Sequence, residues 1–94
     1  MTLNVMKSFK NYDKENPTVY KKFKKYANQL HRIGRRRYSA WAIVNQIRWE
    51  TELKTRDNKF KISNDFITLY ARKLIRENKA FKGFFQTKPL KINN

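Results

Sequence analysis

"NPTVYKKFKKYANQLHRIG", residues 16–34, decides the fold. Val19, Tyr20, Phe23, Tyr26, Ala27, Leu30 and Ile33 recur in it at steps of three and four, the period of one helical face. Asn16 ahead of Pro17 is a start signal: asparagine can cap free amides, and proline at the first helical position gives up a donor that would be unpaired anyway. Gly34 is the stop. The spacing therefore predicts a helix over 17–33, and its other face carries Lys21, Lys22, Lys24, Lys25, Asn28 and Arg32.

Working outward, Ser39 is a cap for a second helix over 40–53, with Ala40, Ile43, Val44 and Ile47 on one face. Trp41, Trp49 and Leu53 lie off that stripe. A helix apolar on more than one side is usually central in a bundle, so both tryptophans are expected in the core; stacking on a nucleobase is the alternative for Trp41. Residues 54–62 hold the turn former Asp57-Asn58, with Lys59 and Lys61 flanking Phe60, which fits a short basic β-hairpin or an ordered loop. Ser63 or Asn64 then caps a third helix to about Asn78, buried through Phe66, Ile67, Tyr70, Ala71 and Leu74. Phe81, Phe84 and Phe85 follow as a cap folded back over the core, with Gly83 at the bend.

The expected fold class is mainly α: a compact three-helix bundle, winged-helix-like if the hairpin forms between helices two and three. Residues 1–12 are expected as a flexible basic arm, 13–87 as a single helical domain and 88–94 as a loose tail. Phe9 and Tyr12 leave open a docked arm instead. A chain of 94 residues is long enough for one modest core and too short for two.

The 23 Lys+Arg against 7 Asp+Glu leave a formal charge of +16, and such self-repulsion destabilises a compact state unless an anionic partner offsets it. Aromatics at 15 % still supply a core, unlike in a disordered basic tail. With no cysteine there are no disulfides, thiolate metal sites or cysteine nucleophiles. No apolar run approaches a membrane span and the first residues lack a secretory leader pattern, so the expected location is the cytoplasm where the chain is made, without membrane contact.

Catalytic chemistry is hard to assemble from these residues. His31, the only histidine, has no cysteine partners for zinc and no orienting carboxylate to make it a general base. Glu50 and Glu52, two apart on a helix, point to different sides. Two glycines cannot build a phosphate-cradling loop of the P-loop kind. The expectation is no enzyme and no cofactor.

Electrostatics with geometry remains. No acid occurs from Asn16 to Trp49. Each phosphate neutralised by Lys or Arg releases counterions, so such a surface should bind polyanions with a steep salt dependence. In "GRRRYS" arginine is the informative choice, because its planar fork grips phosphate in two places. Arg35, Arg36 and Arg37 also complement the dipole at a helix C-terminus, a role that needs no ligand. On helix three, Asn64, Thr68, Arg72 and Arg76 are the side-chain types that bond base edges in a major groove, beside Lys73 on the same exposed side.

The pattern "NPTVYKKFKKYANQL", "GRRRYSAWAIVNQIRWE", "FKISNDFITLYARKLI" and "FKGFFQTK" resembles a group of small basic proteins encoded by bacteriophages and prophages. The carriers, between Asn16 and Lys88, are Asn16-Pro17, Tyr20, Gly34, Arg48-Trp49, Phe60, Asn64, Tyr70-Ala71-Arg72 and Phe84-Phe85. The resemblance implies a phage origin and a helical, winged-helix-like fold, and supplies no catalytic residue. One departure matters: a helix-turn-helix joins its helices by three or four residues, whereas about nine separate helix two from helix three.

The expected function is therefore DNA binding, regulatory in role. Lys21, Lys25, Arg35, Arg36 and Arg37 would hold phosphates, Asn64, Thr68, Arg72 and Arg76 would read bases, and Lys59 and Lys61 would form a wing. The competitors are an inhibitor that binds a host protein and an RNA-binding module. A homodimer is a further expectation, since a reader of this size gains specificity by pairing.

Overall fold

The computed structural model describes residues 3–55 and 62–85. Among them run four α-helices, α1 Leu3–Glu15, α2 Pro17–Arg32, α3 Ala40–Thr55 and α4 Asp65–Glu77, followed by a 3₁₀ turn at Lys79–Phe81. The mainly helical expectation holds, but the three-helix count does not. Lys54 and Thr55 belong to α3 rather than to a hairpin, and residues 56–61, with Lys59 and Lys61, lie outside the described residues. The only β feature among the described residues is an isolated parallel bridge between Tyr38 and Phe85.

The added helix is the segment expected as a loose arm. Val5, Phe9 and Tyr12 fall at i, i+4 and i+7, and one helical face so spaced can dock. Phe9 is buried, its ring 4.8 Å from that of Tyr70 and 5.5 Å from that of Phe66, while Tyr12 lies 5.2 Å from Phe66. Burial of those rings, and the Lys73–Asp13 ion pair, hold α1 on α4. Asn16 alone links α1 to α2. Its backbone N–H and its side-chain Nδ2 both donate to the Tyr12 carbonyl at 2.8 and 3.0 Å, so it closes the end of α1 instead of capping α2 as expected.

The end of α2 is closed by backbone alone. Arg35 N–H donates to Leu30 O and Gly34 N–H to His31 O, the paired bonds of a Schellman motif, and Gly34 takes the φ of +94° that it requires. A side chain there would be strained. Ser39 then accepts from the Ala42 N–H at the start of α3, and Ser63 accepts from the Asp65 N–H ahead of α4, where Asn64 supplies no cap.

The centre of the core is α4, not α3. It buries Phe66, Ile67, Leu69, Tyr70, Ala71 and Leu74, and it touches α1, α2, α3 and the 3₁₀ turn. Tyr70 is fully enclosed, stacked on Tyr20 at 6.2 Å and on Phe23 at 5.8 Å. Among the described residues of α3, Ala40, Ile43, Val44 and Ile47 are the ones buried in this core. Trp41 and Trp49 are 49 % and 59 % exposed, which overturns the expectation that both are core residues. Ile33, placed on the buried face of α2 by its spacing, is also exposed, because the helix has already ended at Arg32.

Phe81, Phe84 and Phe85 do fold back over the core. Gly83, at φ +77°, turns the chain so that Phe85 meets Phe23 at 5.4 Å and Phe84 crosses Phe85 edge-on at 5.2 Å. Tyr38 N–H donates to Phe84 O at 2.9 Å, and this bond ties the arginine loop to the C-terminal turn.

Candidate nucleic-acid interface

Lys21, Lys25, Asn28 and Arg32 are all exposed on α2, and their spacing of four, three and four residues makes them one stripe. The stripe runs about 16 Å along the helix, at 1.5 Å per residue, and ends at the arginine loop. Arg35, Arg36 and Arg37 are exposed and form no ion pair among the described residues. The structure thus places Lys21 and Lys25 on one helical stripe with Arg32, which periodicity alone left among the helix's other cations, and Arg35, Arg36 and Arg37 exposed in the loop that follows.

The bond between Tyr38 and Phe84 holds the arginine loop against the C-terminal turn. Arg35 and Arg36 line a hollow of about 320 Å³ with His31 and Gly34 on one side and Lys82 and Gly83 on the other, floored by Phe84. His31 is set on this floor, its ring 5.3 Å from Phe81 and 5.9 Å from Phe84. No carboxylate lines the hollow. Two arginines and a lysine thus border the hollow without a competing acid, and such cations form strong charge-assisted hydrogen bonds to phosphate. Lys82 escaped the sequence reading. Its signal was the pair of turn glycines, Gly34 and Gly83, which bring both loops to the same corner.

The expected reading residues lie elsewhere. Asn64, Thr68, Arg72 and Arg76 follow at steps of four along the outer side of α4, Thr68 partly covered and the rest exposed. Arg72 and Arg76 line a second hollow, of about 380 Å³, with Lys73 and with Lys10, Asp13 and Lys14 of α1. Lys73 lines the same hollow but is partly covered and paired with Asp13, unlike the exposed Arg72 and Arg76. Asn64 is engaged as well, since its Oδ1 accepts from Arg48 Nη2 at 2.9 Å. An asparagine reads adenine with its carbonyl and amide together, so this bond must open before Asn64 can do so. The two hollows share no residue.

Three of the acids are engaged by neighbouring helices: Asp13 pairs with Lys73 at the α1–α4 hollow that it helps to line. Glu77 accepts from the Tyr20 hydroxyl at 2.7 Å, and Glu50 accepts from Tyr26 and from Gln46 and lies 3.9 Å from Lys22. The tyrosines answer. The hydrogen bond to Glu50, with desolvation and the same negative charge, pushes the Tyr26 phenol up to about 12. Burial first, then the bond to Glu77 and the charges of Glu77 and Asp13, raise Tyr20 despite Arg76. Burial raises Tyr70, helped by Tyr12 and Asp13, and its hydroxyl has no hydrogen-bond partner among the described residues. Burial raises Tyr12 against the opposing charge of Arg48.

A pH prediction follows from the sign of these shifts. A phenol whose folded pKa lies above its unfolded value holds its proton more tightly in the native state, so its contribution is complete below about pH 10 and is lost as the pH climbs through the folded value. In a spectrophotometric titration, four of the five tyrosines should ionise late in the native protein and return to near pH 10 in denaturant. A native titration that overlays the denatured one would contradict the Tyr–Glu seams.

Among the described residues no three acidic or histidine side chains are placed to hold a metal ion, and no helix is long and apolar enough to cross a membrane. Set against known proteins, the chain matches no family model, no curated protein and no solved structure.

Proposed function

We propose that the protein binds DNA, as a small regulatory protein of the phage type it resembles. Lys21, Lys25 and Arg32 on α2 and Arg35, Arg36 and Arg37 in the following loop grip phosphates, and Thr68, Arg72 and Arg76 on α4 meet base edges. One observation carries the reading: Arg35, Arg36 and Lys82 converge on a hollow that no acid lines, at the end of an acid-free basic stripe. A solvated cationic face needs no such convergence. Like charges brought together in a concavity repel, and the repulsion is relieved by an anion.

The test is binding to a random-sequence duplex at two salt concentrations, with unlabelled single-stranded DNA and RNA as competitors. Binding should be tight at low salt and fall steeply as salt rises. Arg36→Ala should weaken all sequences alike and flatten the salt slope by about one unit, whereas Arg72→Ala should relax sequence preference by about 1–3 kcal/mol. Absence of binding at low salt would remove the reading and direct attention to an acidic host protein. Equal effects of the two variants on every sequence would remove α4 from the reading role.

A further inference from the structure

Trp41, Asn45, Trp49 and Leu53 follow one another at steps of four, so they form one ridge along α3. Its three large apolar side chains stand in water, Leu53 being 63 % exposed beside the half-exposed tryptophans. Trp41 is held in place. The Arg48 guanidinium lies 5.4 Å from its ring centre, and that guanidinium is itself anchored by Asn45, by the Ile62 carbonyl and by Asn64. Trp49 has no aromatic or cationic partner among the described residues. An exposed aromatic ridge of this kind marks an interaction surface.

We propose that this ridge is a stacking platform for the unpaired bases of single-stranded DNA whose phosphates continue onto the arginine loop. The inference rests on the nucleic-acid reading of Arg35–Arg37 and goes beyond it by naming the state of the strand. In a duplex each base face is covered by its neighbours about 3.4 Å away, so a tryptophan can stack only on a base that is unpaired and splayed. The two indoles sit eight residues apart on α3, about 12 Å along the axis, too far to clamp one base and suited to two separate ones. Arg37 precedes Trp41 by four residues, which limits their Cα separation to about 14 Å, so a base on Trp41 keeps its own phosphate within reach of the loop.

Charge selects among occupants. Arg48 flanks Trp41, no acid occurs between Asn16 and Trp49, and Glu50 turns toward Tyr26 of α2, held there also by Gln46 of its own helix. Glu52 is the exposed acid on α3, next to the Leu53 end of the ridge. A second copy of this chain would bring another +16 to the same place.

The experiment uses the full chain and its two tryptophans, the only ones in the sequence, as reporters. An oligothymidylate of about 15 nucleotides, near the upper end of single-strand site sizes, is titrated while tryptophan emission and the anisotropy of a labelled strand are followed. Binding should quench the emission. Trp41→Ala and Trp49→Ala should each weaken single-strand binding by roughly 5- to 150-fold and leave a duplex of equal length within about twofold. Trp41→Phe and Trp49→Phe should restore much of it.

Several outcomes overturn the inference and leave the proposed function standing: salt-sensitive binding without quenching, equal losses of duplex and single-strand affinity in the alanine variants, or tighter quenching by the matching RNA. Dimerisation in sedimentation that Trp49→Ala abolishes would assign the ridge to a second copy. Failure of every nucleic acid to bind at low salt overturns both readings together.

Discussion

Phe23→Ala is expected to lower the unfolding free energy by about 3–5 kcal/mol, the cost of removing a buried aromatic ring and leaving a cavity. Phe23 is fully buried and touches two parts of the chain that no other α2 ring joins in this way, stacking on Tyr70 of α4 and meeting Phe85 of the C-terminal turn. Its loss therefore loosens both the central helix and the segment that carries Lys82 to the arginine loop. Against a total stability of about 5–15 kcal/mol, so large a loss should leave a marginal fold, with the melting midpoint falling by roughly 4–8 °C per kcal/mol. Calorimetry or thermal circular dichroism measures it, with Trp49→Ala as the contrast. That exposed side chain should cost no more than about 0.5 kcal/mol. If the two variants melt alike, the packing centre has been misplaced.

The second large effect is on binding. Replacing Arg35, Arg36 and Arg37 together by alanine removes three phosphate contacts and should flatten the salt slope on duplex DNA by about 2.7 units. Over a fourfold rise in salt, the variant's affinity would then fall about 40-fold less than that of the parent. Stability should move little. All three side chains are exposed and without ion pairs among the described residues, and the lost helix-dipole interaction, about 0.3–1 kcal/mol per charge at most, is offset by reduced self-repulsion. A triple variant with the parental slope would show that phosphate is gripped elsewhere, and the α1–α4 groove of Lys10, Lys14, Arg72 and Arg76 would be the next surface to alter.

How much of this was legible in the sequence depends on how local the cause was. The limits of α2 and α4 and the start of α3 follow from apolar period, Pro17, Gly34 and the serines at 39 and 63, all set by neighbours a few residues away. The phenylalanine cap was legible for the same reason: Gly83 and three rings within five residues leave few other ways to bury them. α1 was harder. Its face has one apolar residue per turn, and that pattern becomes a helix only when Phe66 and Tyr70, more than 50 positions away, receive Phe9. The tryptophans were misjudged because hydrophobicity argues for burial and says nothing about whether a neighbour exists. α4 took the centre of the bundle, and no element among the described residues covers the outer ridge of α3.

The candidate surface divides along the same line. By itself the sequence determined the charge, its concentration between Asn16 and Trp49 without an acid, the amphipathic stripe that carries Lys21 and Lys25, and the exposure of the arginines after Gly34. Those properties belong to composition and to the 3.6-residue period. Only the tertiary structure decided that Lys82 faces Arg35 and Arg36 and that Arg72 and Arg76 pair with α1. It also decided that Arg48 occupies Asn64 and that two indoles face solvent. Each of these depends on contacts between residues far apart in the chain, whose geometry is set by how the aromatic core packs around Tyr70.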